Sequence, residues 1–424
     1  MNKELLKQLL QENQREVERY EVFPREIPVD DAFPCYIFVG LRRAGKSFML
    51  YHKMQQLLAA GMTWADMLYL NFEDDRLEDF ASADFNLILE CHSEMYGKRP
   101  ILFLDEIQTV TGWEKFARRL ADQKYSAYIT GSNAKMLSRE IMTTLGGRYL
   151  SVEVFPFSLR EYLGYAGQPY DEATLAVTET RAQMKHTYSE YFHWGGLPES
   201  VSLPVKRNYL SSTFQKIYLG DIAARNGISN TRLLRLMLKK LAESVKQPIS
   251  YTRLARVLSA AGSKVSVPTV SSYIQHCEDA WLLLRMHNLK SSFAEKETTS
   301  KYYFIDNGLL NLFLQDSDTS LLENAVAVSL FRRYGHEADN EQVFFYNDNV
   351  EVDFCVPEAG LAIQVAYSIA SDYQTRERET KALGCLPKVM DCKQRLIITY
   401  DEEGTITDEY GEIRILPYWK WETM

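Results

Sequence analysis

The stretch that decides the fold is Tyr36-Ile37-Phe38-Val39 followed by Gly40-Leu41-Arg42-Arg43-Ala44-Gly45-Lys46-Ser47. The apolar run predicts a buried strand, and the eight residues after it fit the pattern G-x4-G-K-[S/T] of a phosphate-binding loop. Beyond Ser47, Leu50 and Met54 have the spacing of one helix face. A chance glycine–lysine turn would lack this strand and helix. The sequence therefore predicts a P-loop in an α/β domain.

The chemistry of such a loop assigns roles to its residues. Glycines let the backbone curl until several N–H groups point at phosphate oxygens, and the following helix N-terminus adds partial positive charge. We expect Lys46 to neutralise the terminal phosphates and Ser47 to ligate Mg²⁺. The predicted nucleotide-binding residues are Gly40, Leu41, Arg42, Arg43, Ala44, Gly45, Lys46, Ser47 and Phe48.

A second motif supplies carboxylates. The apolar run Ile101–Leu104 ends in Asp105 and Glu106. We expect Asp105 to help hold Mg²⁺ and Glu106 to polarise the attacking water. A strand end that merely reaches solvent is the alternative, but the position downstream of a P-loop disfavours it. Glu106 also argues against a small-molecule kinase, which must avoid activating water.

Two more residues are candidate catalytic groups, each with an alternative. Ser132 follows the apolar strand around Tyr128, where a polar side chain would lie beside the terminal phosphate; it would otherwise cap the next helix. Arg148 follows two glycines and would stabilise transition-state charge, either within its own chain or from a neighbouring subunit. An ordinary surface arginine is the other interpretation of Arg148.

Six segments, taken in order, resemble a prokaryotic AAA-type (AAA+-like) P-loop ATPase family. They are GLRRAGKS, YLNFEDDRL, LFLDEIQ, ITGSNAKML, GGRYLSVEVFPFSLREYL and WGGLPES. The resemblance extends over most of the chain. The resemblance implies ATP as the nucleotide, an AAA+ core, a winged-helix segment and a C-terminal domain similar to restriction endonucleases. It also implies Walker roles for Lys46, Ser47, Asp105 and Glu106, a sensor position for Ser132 and the family's GGR arginine for Arg148.

The predicted fold class is α/β, with a parallel P-loop sheet followed by a winged helix and an α+β nuclease-like domain. Apolar runs predict strands of the first sheet at Cys35–Val39, Met67–Phe72, Ile101–Leu104, Tyr125–Thr130 and Tyr149–Val154. Strands of the last domain are predicted at Lys301–Ile305, Val343–Tyr346, Val350–Val356, Ala362–Ala366 and Leu396–Thr399. The predicted domains are a helical lead-in (1–33), the ATPase core (34–157), a helical lid or connector (158–230), the winged-helix-like segment (231–295) and the nuclease-like domain (296–424).

The middle of the chain is basic. Residues 231–290 hold ten Lys and Arg against three Asp and Glu, although the whole chain has a net charge of −9. Pro268 begins a predicted recognition helix, and Trp281–Met286 is predicted as a wing strand. The candidate DNA contacts are Arg253, Arg256, Lys264 and Tyr273. The alternative is a winged helix that only packs against protein.

The C-terminal part of the chain carries the sequence pattern of PD-(D/E)xK nucleases, but one strand lacks the residues that the pattern requires. Nucleases of this type place one carboxylate on a strand and [D/E]-x-K on the next, with a further glutamate upstream. Glu323 and Asp353 match, but Gln364 and Ala366 stand where the acid and the lysine belong. We therefore predict a degenerate site without cleavage. The alternative is that Lys381 or Arg376 supplies the missing charge.

Composition sets the remaining expectations. The chain has 424 residues, 46% hydrophobic and 25% charged, with six cysteines outside any CxxC pair, which is typical of reduced thiols in the cytoplasm. No apolar run approaches the roughly 18 residues that span a bilayer, so we expect no membrane partner. We expect an ATP-driven switch whose nucleotide state alters packing on the C-terminal half, with a homo-oligomer as one option. The alternatives are an ATP-gated, metal-dependent nuclease and a DNA-binding regulator that binds ATP without turnover.

Overall fold

The computed structural model describes residues 1–30, 32–262, 264–296, 298–315, 318–335, 342–370 and 373–424. The chain divides into two compact units, Met1–Phe155 and Pro156–Met424. Among the described helices, none has the length and apolar character needed to cross a bilayer.

The first unit is built on a parallel sheet, as the sequence predicts. In the described residues this sheet has five strands in the order β2-β3-β4-β1-β5, and every neighbouring pair is parallel. The strands are β1 (Cys35–Val39), β2 (Met67–Asn71), β3 (Ile101–Asp105), β4 (Ala127–Gly131) and β5 (Leu150–Glu153). The helices are α1 (Lys3–Arg19), α2 (Lys46–Ala59), α3 (Phe85–Tyr96), α4 (Trp113–Asp122) and α5 (Arg139–Leu145).

The lead-in segment (residues 1–33) makes a hydrogen bond to the P-loop. Leu6, Leu9 and Val17 bury one face of α1. After α1 ends, the Arg25 guanidinium donates hydrogen bonds to the carbonyl oxygens of Ala44 and Phe155, each at 2.9 Å. A charged donor on a carbonyl makes one of the stronger hydrogen bonds in proteins. Arg25 therefore helps to set the backbone path of the loop.

The second unit contains a mixed sheet with helices. Its described strands form one nine-stranded sheet, in the order β13-β14-β12-β11-β10-β9-β7-β8-β6. They are β6 (Ile249–Ser250), β7 (Leu283–Asn288), β8 (Thr299–Phe304), β9 (Phe344–Asn347), β10 (Glu351–Val356), β11 (Leu361–Val365), β12 (Gln394–Thr399), β13 (Gly404–Asp408) and β14 (Gly411–Pro417). The helices are α6 (Leu159–Tyr165), α7 (Glu172–Leu175), α8 (Thr178–Trp194), α9 (Lys206–Gln215), α10 (Thr231–Glu243), α11 (Tyr251–Ala260), α12 (Val267–Asp279), α13 (Phe293–Lys296), α14 (Asn307–Asn311), α15 (Asp318–Tyr334), α16 (Tyr373–Cys385) and α17 (Tyr418–Thr423), and a π-helical stretch (Lys216–Ala224) follows α9.

The wing strand predicted at Trp281–Met286 is corrected by the structure. The strand begins at Leu283 because Trp281 has a left-handed backbone (φ +60°) and donates its N–H to the Glu278 carbonyl, which closes the end of α12. The hairpin of β13 and β14 and the last helix, α17, were not predicted.

The glycines of the segment WGGLPES lie where the end of α8 meets the start of α14. The Asp306 carboxylate accepts hydrogen bonds from the N–H groups of Gly196 (2.7 Å) and Leu309 (3.2 Å). Gly195 has φ +75°, and a Cβ atom there would collide with the same carboxylate. Burial raises the pKa of Asp306 to about 6 despite these N–H donors. The two glycines thus let the end of α8 meet the start of α14.

Candidate active site

The P-loop, the two carboxylates and Ser132 lie at one edge of the first sheet. They follow β1, β3 and β4, whose carboxyl ends share that edge because the strands are parallel. Gly40 has φ +153°, and a Cβ atom there would run into the Val154 carbonyl. Gly45 precedes α2 in a left-handed conformation without any side-chain cap. The first N–H groups of α2 therefore suit an anion.

Lys46 and Glu106 form a buried ion pair at the carboxyl end of the first sheet. The Lys46 Nζ atom lies 3.3 Å from Glu106 Oε1 and donates a hydrogen bond to the Leu41 carbonyl at 3.1 Å. Burial opposes ionisation of Glu106, but the Lys46 charge and a hydrogen bond from Gln108 outweigh it and lower the pKa of Glu106 to about 2. Glu106 is therefore an ionised carboxylate held by the P-loop lysine.

Asp105, which precedes Glu106 in the chain, is surrounded by hydroxyl groups. Its carboxylate accepts hydrogen bonds from Thr130 Oγ1, from the Tyr69 hydroxyl at 3.0 Å and from Ser47. Burial and the neighbouring Glu106 charge raise the pKa of Asp105 to about 6, and the hydroxyl donors limit that rise. Asp105 and Ser47 thus lie in direct contact, as two ligands of one metal ion would.

Thr130 and Gln108 are functional candidates that the sequence reasoning missed. Thr130 Oγ1 accepts the Glu106 N–H at 2.9 Å while it donates to Asp105, so one side chain positions both acids. Gln108 Nε2 donates to Glu106 Oε2 at 2.6 Å, and the Ser132 N–H donates to the same oxygen at 3.2 Å. A polar residue that ends an apolar strand was the available signal for Thr130.

The backbone at Glu106 is strained. Its φ of +52° is unusual for a residue with a side chain. Glu106 donates its N–H to Thr130 and accepts hydrogen bonds from Gln108 and Ser132, and these bonds hold the conformation. Such strain is typical of functional sites. Nearby, the Gln108 Oε1 atom is buried without a hydrogen-bond partner among the described residues.

The donor set suits a nucleoside triphosphate with Mg²⁺. The uncapped start of α2 and Lys46 offer positive charge, Ser47 and Asp105 offer oxygen ligands, and Gln108 keeps an unused acceptor. Four other residues that were predicted to bind the nucleotide have side chains that contact the protein or are buried in it. Arg42 makes a two-pronged ion pair with Glu73 (3.2 and 2.7 Å), Phe48 packs on Tyr20, and Leu41 and Ala44 are fully buried.

Arg148 lies at the opposite edge of the sheet, which corrects one of its two predicted roles. Leu150 pairs with Tyr36, so Arg148 is level with the start of β1, whereas the P-loop follows its end. At about 3.3 Å per residue, five residues of β1 separate the two by roughly 16 Å. Arg148 Nε instead contacts Asp122 Oδ1 at 2.6 Å. Action on a nucleotide in its own chain does not fit this position.

The predicted degenerate nuclease residues come together in the second unit. Lys301 from β8 is fully buried among three carboxylates, with its Nζ atom 3.3 Å from Glu323, 3.2 Å from Glu351 and 3.7 Å from Asp353. Gln364 accepts the Asp353 N–H at 2.7 Å and donates to Glu379 at 2.5 Å. We call Lys301, Glu323, Glu351, Asp353 and Gln364 the lysine–carboxylate cluster.

The cation of this cluster was not the one that the sequence suggested. Lys381 and Arg376 both lie exposed on α16, and Lys301 supplies the amine. Burial disfavours its charge, but the carboxylates outweigh burial and raise the pKa of Lys301, so it stays an ammonium group. Burial likewise raises the pKa of Glu323 and of Asp353, with Lys301 opposing the rise. Lys301 was missed because it is far from the motif in sequence.

The candidate DNA contacts occupy two neighbouring helices and the segment between them. Arg253 and Arg256 are exposed on α11, Lys264 is exposed before α12, and Tyr273 is half-buried on α12. Ser266 caps α12 by accepting the Thr269 N–H at 3.2 Å, and a proline occupies the first turn as predicted.

Comparison with known proteins identifies the relatives of this chain. Residues 32–163 match the family described as an AAA domain, and residues 185–320 match a domain of unknown function (DUF8612). The uncharacterized protein MJ1544 of Methanocaldococcus jannaschii is 32% identical over 433 residues, which cover 98% of this chain and 95% of that protein. The chain belongs to the same family. An uncharacterized protein of Haemophilus influenzae is 31% identical over 374 residues, covering 86% of this chain and 88% of its own.

The AAA match agrees with the parallel sheet and the P-loop, so residues 32–163 form a P-loop domain of the AAA type. Among solved structures, the Walker-type ATPase PABY2304 of Pyrococcus abyssi is similar at 13% identity and a TM-score of 0.42, with 74% of this chain and 95% of that chain covered.

Proposed function

We propose that this family member binds ATP with Mg²⁺ at the P-loop, hydrolyses it and works as a nucleotide-driven molecular switch. The observation that carries the proposal is the contact of Lys46 with Glu106 (3.3 Å), directly beside Asp105, at the carboxyl edge of the sheet. A phosphate-binding lysine, a candidate metal ligand and a candidate base are thereby within one hydrogen-bonded group. The AAA-domain match supports the same assignment.

The ion pair suggests how binding leads to turnover. Phosphate oxygens compete with Glu106 for the Lys46 ammonium group, so a bound triphosphate draws the lysine charge away from the carboxylate. The pKa of Glu106, which Lys46 holds low, then rises toward its ordinary value, and the carboxylate becomes a better acceptor for a water proton. Thr130 and Gln108 keep it in place. Mg²⁺, held by Ser47 and Asp105, would neutralise phosphate charge when bound.

Two substitutions separate binding from hydrolysis. We expect Glu106→Gln to keep ATP bound and to abolish phosphate release, because glutamine preserves the shape but accepts no proton. We expect Lys46→Ala to weaken binding itself. Glu78→Gln, an exposed glutamate of the same unit, is the matched control and should behave as wild type. Phosphate release by Glu106→Gln at the wild-type rate would overturn the assignment.

Arg148 fits this proposal only as a group delivered to a neighbouring subunit. Its position at the far edge of the sheet and its exposed ion pair with Asp122 leave it able to reach an adjacent copy. The proposal therefore includes a homo-oligomer in which each Arg148 completes another chain's site.

A second proposed activity is association with duplex DNA through residues 231–290. The exposed cations Arg253, Arg256 and Lys264 flank a capped helix that starts as a recognition helix does. Salt-dependent binding that disappears when Arg253 and Lys264 are changed to glutamate is the expected result. Binding that ignores salt, or no binding at all, would remove the idea.

For the C-terminal part we propose a nuclease-like fold that no longer cleaves. Its order supports the fold: α15, the antiparallel strands β9, β10 and β11, then α16, then β12 parallel to β11. Loss of cleavage is supported by the cluster, where the Lys301 ammonium already balances the carboxylates and Gln364 replaces an acid. Mg²⁺- or Mn²⁺-dependent cutting of plasmid, single-stranded DNA or RNA, abolished by Asp353→Ala, would establish a metal-dependent nuclease instead, and a cutting rate that depends on ATP would show that it is ATP-gated.

A further inference from the structure

A basic cavity in the second unit contains none of the four candidate duplex contacts, Arg253, Arg256, Lys264 and Tyr273. It has a volume of about 690 Å³ and is lined by Arg207 from α9, by Arg232, Arg235, Lys239 and one carboxylate, Glu243, from α10, and by the segment around Phe313. We call this space the basic cavity. Every residue that lines it falls within residues 185–320, the part that matches a domain of unknown function.

The cations of the basic cavity are not used for folding. Arg207, Arg232, Arg235 and Lys239 are all exposed, and within the described part of the chain none of their side chains has an ion-pair or hydrogen-bond partner. By contrast, Lys240 on the same helix pairs with Glu243 at 3.4 Å. Four cations that face one concavity repel one another, and the fold obtains no compensating contact from them. Such an arrangement is expected where an anionic ligand supplies the compensation.

The positions of the cations indicate the form of that ligand. Arg232, Arg235 and Lys239 follow one another at helical spacing on α10, whose opposite face is buried through Leu234 and Leu238. At 1.5 Å per residue the three span roughly 10 Å along the helix, and Arg207 faces them from α9. The positive charge therefore forms a stripe, which suits an anion whose charges are spread along a chain.

A second cavity, which we call the apolar cavity, adjoins the first and is lined by five apolar or aromatic side chains beside two arginines and two uncharged polar residues. It has a volume of about 400 Å³, shares Arg207, Arg235 and Phe313 with the basic cavity, and adds Tyr218 and Leu219. Leu219 is 47% exposed, so part of the apolar surface of this cavity is accessible to a ligand. The ligand that fits both cavities carries a row of negative charges and flat apolar groups beside them.

We infer that the two cavities together bind a single nucleic-acid strand, with phosphodiester groups along the α10 cations and a base in the apolar cavity. A positively charged groove next to apolar and aromatic surface is the usual arrangement for single-strand binding. An acidic peptide or an inorganic polyphosphate would use the cations and leave the apolar cavity unfilled. A duplex buries its bases and presents a convex surface, which does not enter a concavity of this size.

The test uses the full chain and fluorescein-labelled twelve-residue oligothymidylate and oligouridylate, with anisotropy measured from low to moderate salt. We expect binding of at least one strand, and we expect Arg232→Glu/Arg235→Glu to weaken it by more than tenfold. The slope of log affinity against log salt should fall by roughly 1.4, about 0.7 for each lost cation. Arg181→Glu, an exposed cation of α8 that lines neither cavity, should bind as wild type.

Several results would overturn the inference. Unchanged affinity of Arg232→Glu/Arg235→Glu, with circular dichroism showing a folded chain, removes the basic cavity as the site. A duplex of the same length whose affinity falls in Arg232→Glu/Arg235→Glu as much as that of the single strand contradicts the role of the concavity. Equal competition by inorganic tripolyphosphate or by polyglutamate, at matched charge, contradicts the role of the apolar cavity. None of these results depends on ATP turnover, so failure here leaves the proposed ATPase untouched.

Discussion

Replacement of Lys301 by methionine tests the lysine–carboxylate cluster directly. Methionine has a similar length, so it fills the space but leaves Glu323 and Asp353 buried without a cation. The two carboxylates have side-chain exposures of 5% and 15%, and Lys301 has 0%. Removal of one partner of a buried ion pair typically costs about 3–5 kcal/mol, because the other charge stays buried and uncompensated. We expect a loss of this size in the free energy of unfolding near pH 7.5.

The pH dependence of the loss separates this cause from ordinary repacking. Burial already raises the pKa of Glu323 and of Asp353 with Lys301 present, and loss of the lysine raises both further. A carboxyl whose folded-state pKa exceeds its unfolded value binds protons more tightly when folded, so the variant regains stability as pH falls through that pKa. Lys301 itself, with a raised pKa, keeps its charge throughout this range. The difference in the free energy of unfolding between wild type and Lys301→Met should therefore become smaller as the pH is lowered from 7.5 to 5.

Thermal unfolding of the full chain gives the readout. A loss of about 3 kcal/mol corresponds to a fall of roughly 6–12 °C in the transition of a unit of this size. Lys240→Met, which removes the exposed pair with Glu243, should stay within about 1 kcal/mol of wild type. Lys301→Met/Glu323→Gln should recover part of the loss. An unchanged midpoint for Lys301→Met, or a difference that stays constant with pH, would refute the reasoning.

Three further predictions concern the ATPase site. Because burial and Glu106 raise the pKa of Asp105 to about 6 in the metal-free site, protons should compete with Mg²⁺ for this carboxylate; the Mg²⁺ concentration that half-saturates the ATPase should rise as pH falls below 6, and a concentration that stays constant down to pH 4.5 would contradict the assignment. Thr130→Val removes the hydroxyl that holds Asp105 and the Glu106 N–H, so a pre-steady-state assay should show hydrolysis slowed about 10- to 100-fold, with Thr130→Ser close to wild type. Arg148→Ala and Lys46→Ala should each be inactive alone and regain activity when mixed if Arg148 acts between subunits; a mixture without activity would count against that role.

The parallel sheet of the first unit was predictable because each strand is a buried apolar run between helical stretches. The strand from Cys35 to Val39 is found as predicted, and the other four differ only at their ends. The motifs predicted Glu106 at the attacking water and Ser132 beside the terminal phosphate, and in the structure the Ser132 N–H donates a hydrogen bond to Glu106. In these cases local pattern and long-range packing agree.

The remaining features depend on contacts that no local pattern reveals. Lys301 reaches Glu323 and Asp353 only because β8 and α15 are brought together by the folded sheet. Thr130 looks like any polar strand end until the neighbouring strand places Asp105 beside it. The exclusion of Arg148 from its own chain's site required the register of β1 with β5, which depends on strand order. Register and order are properties of the packed sheet, and a single sequence carries little information about them.

The most direct test of the account is calorimetric titration of ATP into the purified full chain, with Mg²⁺ and with the metal chelated. The account predicts saturable binding that requires Mg²⁺, weakens strongly in Lys46→Ala and persists in Glu106→Gln. Absence of magnesium-dependent affinity for any nucleoside triphosphate, or equal affinity in Lys46→Ala, would contradict the claim that this loop and its lysine hold the phosphates.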